Sequence, residues 1–139
     1  MSPDRTTARA LARAALAADP RMSGFAMLPA WTGTVMAEQL PVIGVVTPQE
    51  RVDPQTLDCF QCALRLQVVA KRLGGDDLED LLDLDAAAIE ASVTAAMLGQ
   101  GLRCLPEEIV TTLNGEGEQK IGTVLVTFGL VYLRRLPQG

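Results

Sequence analysis

Apolar and polar residues alternate most regularly between Phe60 and Lys71. Every second position is apolar there, in the series Phe60, Cys62, Leu64, Leu66, Val68 and Ala70. Side chains of a β-strand point to opposite faces in turn, so a period of two indicates a strand with one face against a core. The pattern therefore predicts a long strand over 60–71, which the Gly74-Gly75 pair ends.

The pattern changes to helical spacing in two segments. In residues 4–18 one face carries Ala8, Leu11, Ala12, Ala15 and Leu16. In residues 76–98 an apolar stripe consists of Leu78, Leu82, Ile89, Val93 and Met97. Asp19-Pro20 follows the first segment and Gly99 the second, and such residues commonly end helices. We therefore predict two helices, over 4–18 and 76–98.

Three other segments predict strands. Residues 41–46 form a short apolar run bounded by prolines, which is typical of a buried strand. Residues 105–113 and 119–134 flank the turn sequence Asn114-Gly115-Glu116-Gly117. A turn of this composition between two strands predicts an antiparallel hairpin.

Two stretches are predicted to be irregular. Segment 20–40 contains glycine and proline, and within it we expect only a short strand near Trp31 to Val35. Thr47 to Asp58 is a twelve-residue connection with two prolines and four charged residues. Connections of this length are often functional or mobile, so we predict a mobile loop there.

The composition fits a single domain over residues 1–139. Hydrophobic residues make up 48% of the chain, which is enough for one packed core, whereas two cores would be hard to build from this length. We expect the core where the sheet meets the second helix. Its predicted members are Phe60, Leu64, Leu66, Ile89, Val93, Val126 and Phe128.

The charge balance narrows the class of partner. The net charge is −5 at pH 7, and recognition of phosphates needs clustered lysine and arginine. No run approaches the roughly 20 apolar residues of a membrane span. We therefore expect neither specific nucleic-acid binding nor membrane insertion.

The cysteines and the missing histidine bear on catalysis. Histidine, the commonest general base, does not occur in the sequence, and neither does a phosphate-binding or nucleophile-elbow motif. Cys59 and Cys62 have the spacing of a metal or redox pair, but no second pair completes a zinc site. On a strand these two thiols point to opposite faces. We interpret them as small apolar residues, reduced in a cytoplasm together with Cys104, and expect no enzymatic activity.

An acidic run opens the second predicted helix. It consists of Asp76, Asp77, Glu79, Asp80, Asp83 and Asp85. Carboxylates are ligands for divalent cations, so Asp76, Asp77 and Asp80 are the candidate metal site, although the spacing does not match an EF-hand loop. The favoured interpretation is a solvated helix face whose N-terminus stabilises negative charge, with no cofactor.

In their order and spacing, several blocks of this sequence resemble the tail terminator family of long-tailed bacteriophages, of the lambda minor-tail type. The likeness covers roughly residues 5–133. The blocks are the helix Arg5 to Ala18, Leu40-Pro-Val-Ile-Gly-Val-Val-Thr-Pro48 with Glu50-Arg51, Cys59 to Lys71, Gly-Gly-Asp-Asp-Leu-Glu-Asp-Leu-Leu-Asp, Ala-Ile-Glu-Ala-Ser-Val and the terminal hairpin.

The resemblance implies an α/β (α+β) fold with a mixed sheet and helices packed on one face. With the strands predicted above, this gives a mixed, largely antiparallel four-stranded sheet. It further implies a ring, hexameric in this family, that caps the tail tube, ends tube polymerisation and meets the head–tail connector protein. The ring would be assembled in the host cytoplasm and lie at the head-proximal end of the virion tail, and DNA would pass through it. The family supplies no catalytic residues.

Within the predicted loop 47–58, we expect Gln49, Glu50, Arg51 and Asp53 to contact a neighbouring subunit or the tail tube protein. Three alternatives remain at this point. One is another head–tail joining ring protein, and another is a small acidic secretion chaperone, which works as a dimer. The third is an acidic domain that binds a divalent metal.

Overall fold

The computed structural model describes residues 4–29, 39–115 and 120–135. These residues form two α-helices, a 3-10 turn at Pro20–Met22 and five strands. The elements are α1 (Arg5–Ala18), β1 (Ala26–Met27), β2 (Val42–Pro54), β3 (Cys59–Gly74), α2 (Leu78–Gly99), β4 (Arg103–Asn114) and β5 (Lys120–Arg135). Neither described helix is long and apolar enough to cross a membrane.

The strands form one mixed sheet in the order β1-β2-β3-β5-β4. Only the β1–β2 pair is parallel among the described pairs, and the hairpin of β4 and β5 is antiparallel as predicted. The α+β class is therefore confirmed, but the predicted count of four strands was wrong. The strand that was not predicted is β1. It has only two residues, which are too few to show an alternation of apolar and polar positions. The strand expected near Trp31 to Val35 lies outside the described residues.

The predicted loop over 47–58 was also wrong. Most of it continues β2 as far as Pro54, antiparallel to β3, and only residues 55–58 form the connection. Between Val46 and Gln49, two residues of β2 lie opposite a single residue of β3. This extra residue in β2 makes a β-bulge. Pro48 lies in this bulge. Proline is tolerated at bulges and edges because it has no N–H to give to the ladder.

The bulge exchanges the two faces of β2. Before it, Ile43 and Val45 pair with core residues of β3 and face the helices. After it, Glu50 is opposite the core residue Leu64, and Arg51 is opposite the exposed Ala63. Side chains alternate along a strand, so an inserted residue reverses the side that every later one faces. We call the side of the sheet that carries Arg51 and Ala63 the outer face.

One hydrophobic core lies between the sheet and both helices. Six of the seven predicted core residues are at most 1% exposed, which confirms them: Leu64, Leu66, Ile89, Val93, Val126 and Phe128. Phe60 is only half-buried and packs against the edge of this core.

Polar side chains fix both ends of α1. Asp4 caps the start, because its Oδ1 accepts a hydrogen bond of 2.6 Å from the backbone N–H of Thr7. Asp19 ends the helix, accepts from the Arg21 backbone N–H and guanidinium, and also accepts from the Ser92 hydroxyl of α2. The hydrogen bonds from Arg21 and Ser92 hold the pKa of Asp19 well below its ordinary value. The buried Asp19 carboxylate thus joins the end of α1 to the middle of α2.

Candidate functional site

The outer face is built from rows of side chains that cross four strands. One row contains Arg51 of β2, Ala63 of β3, Val131 of β5 and Arg103 of β4. The adjacent row contains Gln49, Arg65, Gly129 and Leu105. Residues in such a row are neighbours on one face of the sheet, so their side chains stand next to one another.

These two rows surround a groove of about 540 Å³. Small residues lie at its centre, namely Ala63 and Gly129, and long residues stand at its sides. A Cβ added at Gly129 would lie 2.8 Å from the carboxyl carbon of Glu107, so that side chain lies across the glycine. We call this site, lined by Arg51, Arg65, Arg103, Leu105, Val131 and Glu107, the arginine groove.

The three groove arginines differ from the ion-paired arginines of the chain. Four other arginines each lie within 4.0 Å of a carboxylate oxygen, namely Arg5, Arg21, Arg72 and Arg134. Within the described parts of the chain, Arg51, Arg65 and Arg103 form no such pair. A guanidinium group offers planar, paired N–H donors that match a carboxylate or phosphate. The groove can therefore bind anionic groups, with apolar contacts from Leu105 and Val131 beside them.

The four predicted contact residues do not share one surface. Gln49 and Arg51 line the arginine groove, and Asp53 lies on the same face of β2 one alternation further along. All three are exposed. Glu50, in contrast, points to the opposite face, and its side chain is only 6% exposed.

Glu50 belongs to a buried polar cluster at the end of the core. The Tyr132 hydroxyl donates to Glu50 Oε2 at 2.9 Å, Arg134 Nη1 lies 3.3 Å from Oε1, and Arg5 Nε lies 3.6 Å from Oε2. Burial, with the neighbouring Glu50 carboxylate, raises the pKa of Tyr132. The Glu50 carboxylate is thus engaged within its own subunit.

The cysteines lie where the alternation of β3 predicted. Cys62 is fully buried on the core side, Cys59 is half-buried on the outer side, and both are free. Burial, with Glu50 nearby, raises the pKa of the Cys62 thiol, and burial raises the pKa of Cys104 to about 11. A raised pKa keeps a thiol protonated, whereas a reactive cysteine needs its thiolate.

The acidic run divides into two parts. Five members are exposed, namely Asp76, Asp77, Glu79, Asp80 and Asp83, and we call them the acidic helix start. Asp85 was wrongly assigned to the solvated face. It is 5% exposed, and both of its oxygens accept from Arg72 Nη1 at 2.9 Å. Burial raises the pKa of Asp85 against the opposing effect of Arg72.

Of the candidate cation ligands, Asp76 and Asp77 directly precede α2 and Asp80 lies in its first turn, and their metal binding stays a prediction. Over residues 4–29, 39–115 and 120–135, no three Cys, Asp or Glu side chains are arranged to hold a metal ion.

The sequence did not reveal the arginine groove as a unit. Arg65 lies at a polar position of the alternation that predicted the strand over 60–71. Arg51, however, lies in the segment predicted as a loop, and Arg103 lies outside the predicted strand 105–113. Only the register across β2, β3, β5 and β4 brings them together. Compared with models of known protein families and with curated protein sequences, the chain matches none.

Proposed function

We propose that this protein is a structural ring subunit that caps a bacteriophage tail tube, ends its polymerisation and joins the tail to the head. The arginine groove is the observation that carries the proposal. It is an open, charged surface on a rigid sheet, which suits contact between protein subunits. The resemblance of the sequence blocks to the tail terminator family supplies the specific role.

The β4 edge of the sheet supports an oligomer. Of the twelve residues of β4, only Cys104 is buried. Leu105, Ile109, Val110 and Leu113 are each 40–52% exposed. A long edge strand that exposes large apolar side chains is a site for pairing with another chain, because it otherwise invites aggregation. In a ring every subunit has a neighbour available to cover this edge.

In this proposal the partners are further copies of the chain in a hexamer, the tail tube protein and the head–tail connector protein. The assembled ring lies at the head-proximal end of the virion tail. Gln49, Arg51 and Asp53 contact a neighbouring subunit or the tube, while Glu50 acts inside its own subunit. DNA passes through the ring without being specifically bound, which agrees with the net charge of −5.

The test combines particle mass, electron microscopy and tube length. Purified protein should give rings with about six times the 14.8 kDa subunit mass. When it is added to polymerising tail tube protein from the same virus, tubes should stop at shorter lengths and carry a ring at one end. Rings that bind a head connector but leave tube length unchanged would indicate another head–tail joining ring instead.

A dimeric secretion chaperone is the second candidate, and the same β4 edge favours it. Two β4 strands pairing antiparallel across a two-fold axis would cover both edges at once. A stable mass of twice the subunit at all concentrations, together with unaltered tube length, would support the chaperone and contradict the ring.

A further inference from the structure

The subunit carries two surfaces of opposite charge at opposite ends of the sheet. The arginine groove lies near Ala63, close to the start of β3, and the acidic helix start follows the end of β3 at Gly74. Eleven residues of strand separate these two points, about 35 Å at roughly 3.3 Å per residue. The groove is on the outer face, while α2 packs on the core side. The two surfaces therefore cannot meet within one molecule.

The chemistry of the two surfaces is complementary. The groove offers arginines without ion partners in the described residues, beside the exposed Leu105 and Val131. The acidic helix start offers exposed carboxylates, and the 68% exposed Leu84 follows Asp80 by one helical turn. Residues four apart lie on the same side of a helix, so Asp80 and Leu84 present a carboxylate and an apolar group together.

We propose that the arginine groove of one copy receives the acidic helix start of the next copy, so that subunits join head to tail. This proposal rests on the ring-forming function above and names the surfaces that form the ring. Contacts between two different patches of identical subunits propagate, and they close into a ring when the rotation allows it.

Charge also favours this occupant over a nucleic acid. Glu107 lies across the centre of the groove, where it would repel a run of phosphates. The chain as a whole is acidic, with a net charge of −5, which opposes approach to a nucleic-acid backbone. A single helix with spaced carboxylates can place its charges beside the arginines and away from Glu107.

Charge reversal on each surface tests the proposal. The groove variant is Arg65→Glu with Arg103→Glu, and the helix variant is Asp76→Lys with Asp80→Lys. Each alone should require at least a tenfold higher concentration for half-assembly, measured by light scattering and native mass spectrometry. Arg135→Glu and Asp58→Lys, exposed charges outside both surfaces, are the matched controls and should assemble like the wild type.

Mixing the two variants gives the decisive result. In an equimolar mixture each reversed groove faces a reversed helix, and each unchanged groove faces an unchanged helix. Alternating copies should therefore restore the wild-type particle mass, which misfolded variants cannot do. Far-UV circular dichroism and melting curves check that each variant is folded. Raising sodium chloride from about 0.1 M to about 1 M should lower the assembled fraction of the wild type.

Several outcomes would overturn the interface. They are a wild type that stays monomeric, variants that assemble like the wild type, or a mixture of folded variants that stays unassembled. Binding of a short DNA oligonucleotide that only the groove variant loses, with assembly unchanged, would assign the groove to nucleic acid. Charge-dependent rings that leave tube length unaltered would contradict the tail-capping function and leave the interface standing. Rings whose assembly does not depend on these charges would contradict the interface and leave the tail-capping function standing.

Discussion

Replacing Arg72 by methionine should destabilise the protein at neutral pH, because it removes the cation paired with the buried Asp85 carboxylate. The Asp85 side chain is 7% exposed and that of Arg72 is 25% exposed. Breaking a buried ion pair by removing one partner commonly costs about 3–5 kcal/mol. Arg72 also lies over the Phe25 ring at 5.4 Å, a contact worth about 0.5–1 kcal/mol.

The loss of stability caused by the unpaired Asp85 charge has an upper limit, because the carboxylate can instead take up a proton and become neutral. A carboxyl group with an unfolded pKa of 3.8 can be neutralised at pH 7 for about 4 kcal/mol, since each pKa unit corresponds to about 1.4 kcal/mol. At pH 5 the same neutralisation costs only about 2 kcal/mol. Burial raises the folded pKa of Asp85, and loss of Arg72 should raise it further. The destabilisation therefore grows as pH rises above the unfolded pKa of 3.8, is complete above the folded pKa, and is relieved as pH falls.

The double variant Arg72→Met with Asp85→Leu isolates the charge effect. Replacement of a buried ion pair by apolar residues of similar size is often neutral or stabilising. We expect the double variant to lie within about 1 kcal/mol of the wild type or above it, and its own free energy of unfolding no longer to contain the titration of Asp85. The single variant Asp85→Leu completes the cycle.

The assay is urea unfolding of the four proteins at pH 7 and pH 5, with the free energy of unfolding extrapolated to water. The loss in Arg72→Met should shrink by up to about 3 kcal/mol between the two conditions, which is two pH units at about 1.4 kcal/mol each. An equal loss at both pH values, or a double variant no more stable than Arg72→Met, would refute the reasoning.

Three further predictions concern stability. Glu50→Gln should lower the free energy of unfolding by about 1–3 kcal/mol, because the Tyr132 hydroxyl loses its carboxylate acceptor. Urea unfolding measures this loss, and a loss smaller than the experimental error would contradict the prediction. Asp19→Asn should cost about 1–3 kcal/mol at pH 7. Its lowered folded pKa makes this contribution fully present above 3.8 and lost as pH falls, so parallel wild-type and variant curves in acid would oppose it. In Gly122→Ala the new Cβ would lie 2.7 Å from a leucine of α2, which should lower the free energy of urea unfolding by about 1–3 kcal/mol. Gly129→Ala, whose Cβ meets only a movable side chain, is the milder control. Equal losses in the two variants would contradict this prediction.

Long periodic elements were predictable from the sequence. The alternation over 60–71 lies within β3, and the apolar stripe of 76–98 became α2, because burial of one face imposes its period on the residues. Asp85 was misassigned on its charge. Its spacing from Leu82 and Ile89 places it on the buried stripe, so the pattern already contained the correct signal.

The second half of β2 and the arginine groove were not predictable in the same way. Pro48 and the charged residues around it are typical of a loop, yet at a bulge on a sheet edge they are compatible with a strand. The groove depends on side chains from β2, β3, β4 and β5. Their proximity follows from strand order and register, which no local pattern encodes.

Because of the bulge in β2, the number of residues at Thr47-Pro48 determines which side chains of 49–54 lie on the outer face. Deleting one residue at Thr47-Pro48 would turn Arg51 toward the helices and Glu50 toward solvent. Substitutions in 49–54 alter this surface one side chain at a time, whereas a one-residue insertion or deletion at the bulge exchanges all of its side chains together. Where a relative lacks the bulge, a one-residue gap in the alignment belongs at this position, because inward and outward residues are compared correctly only then.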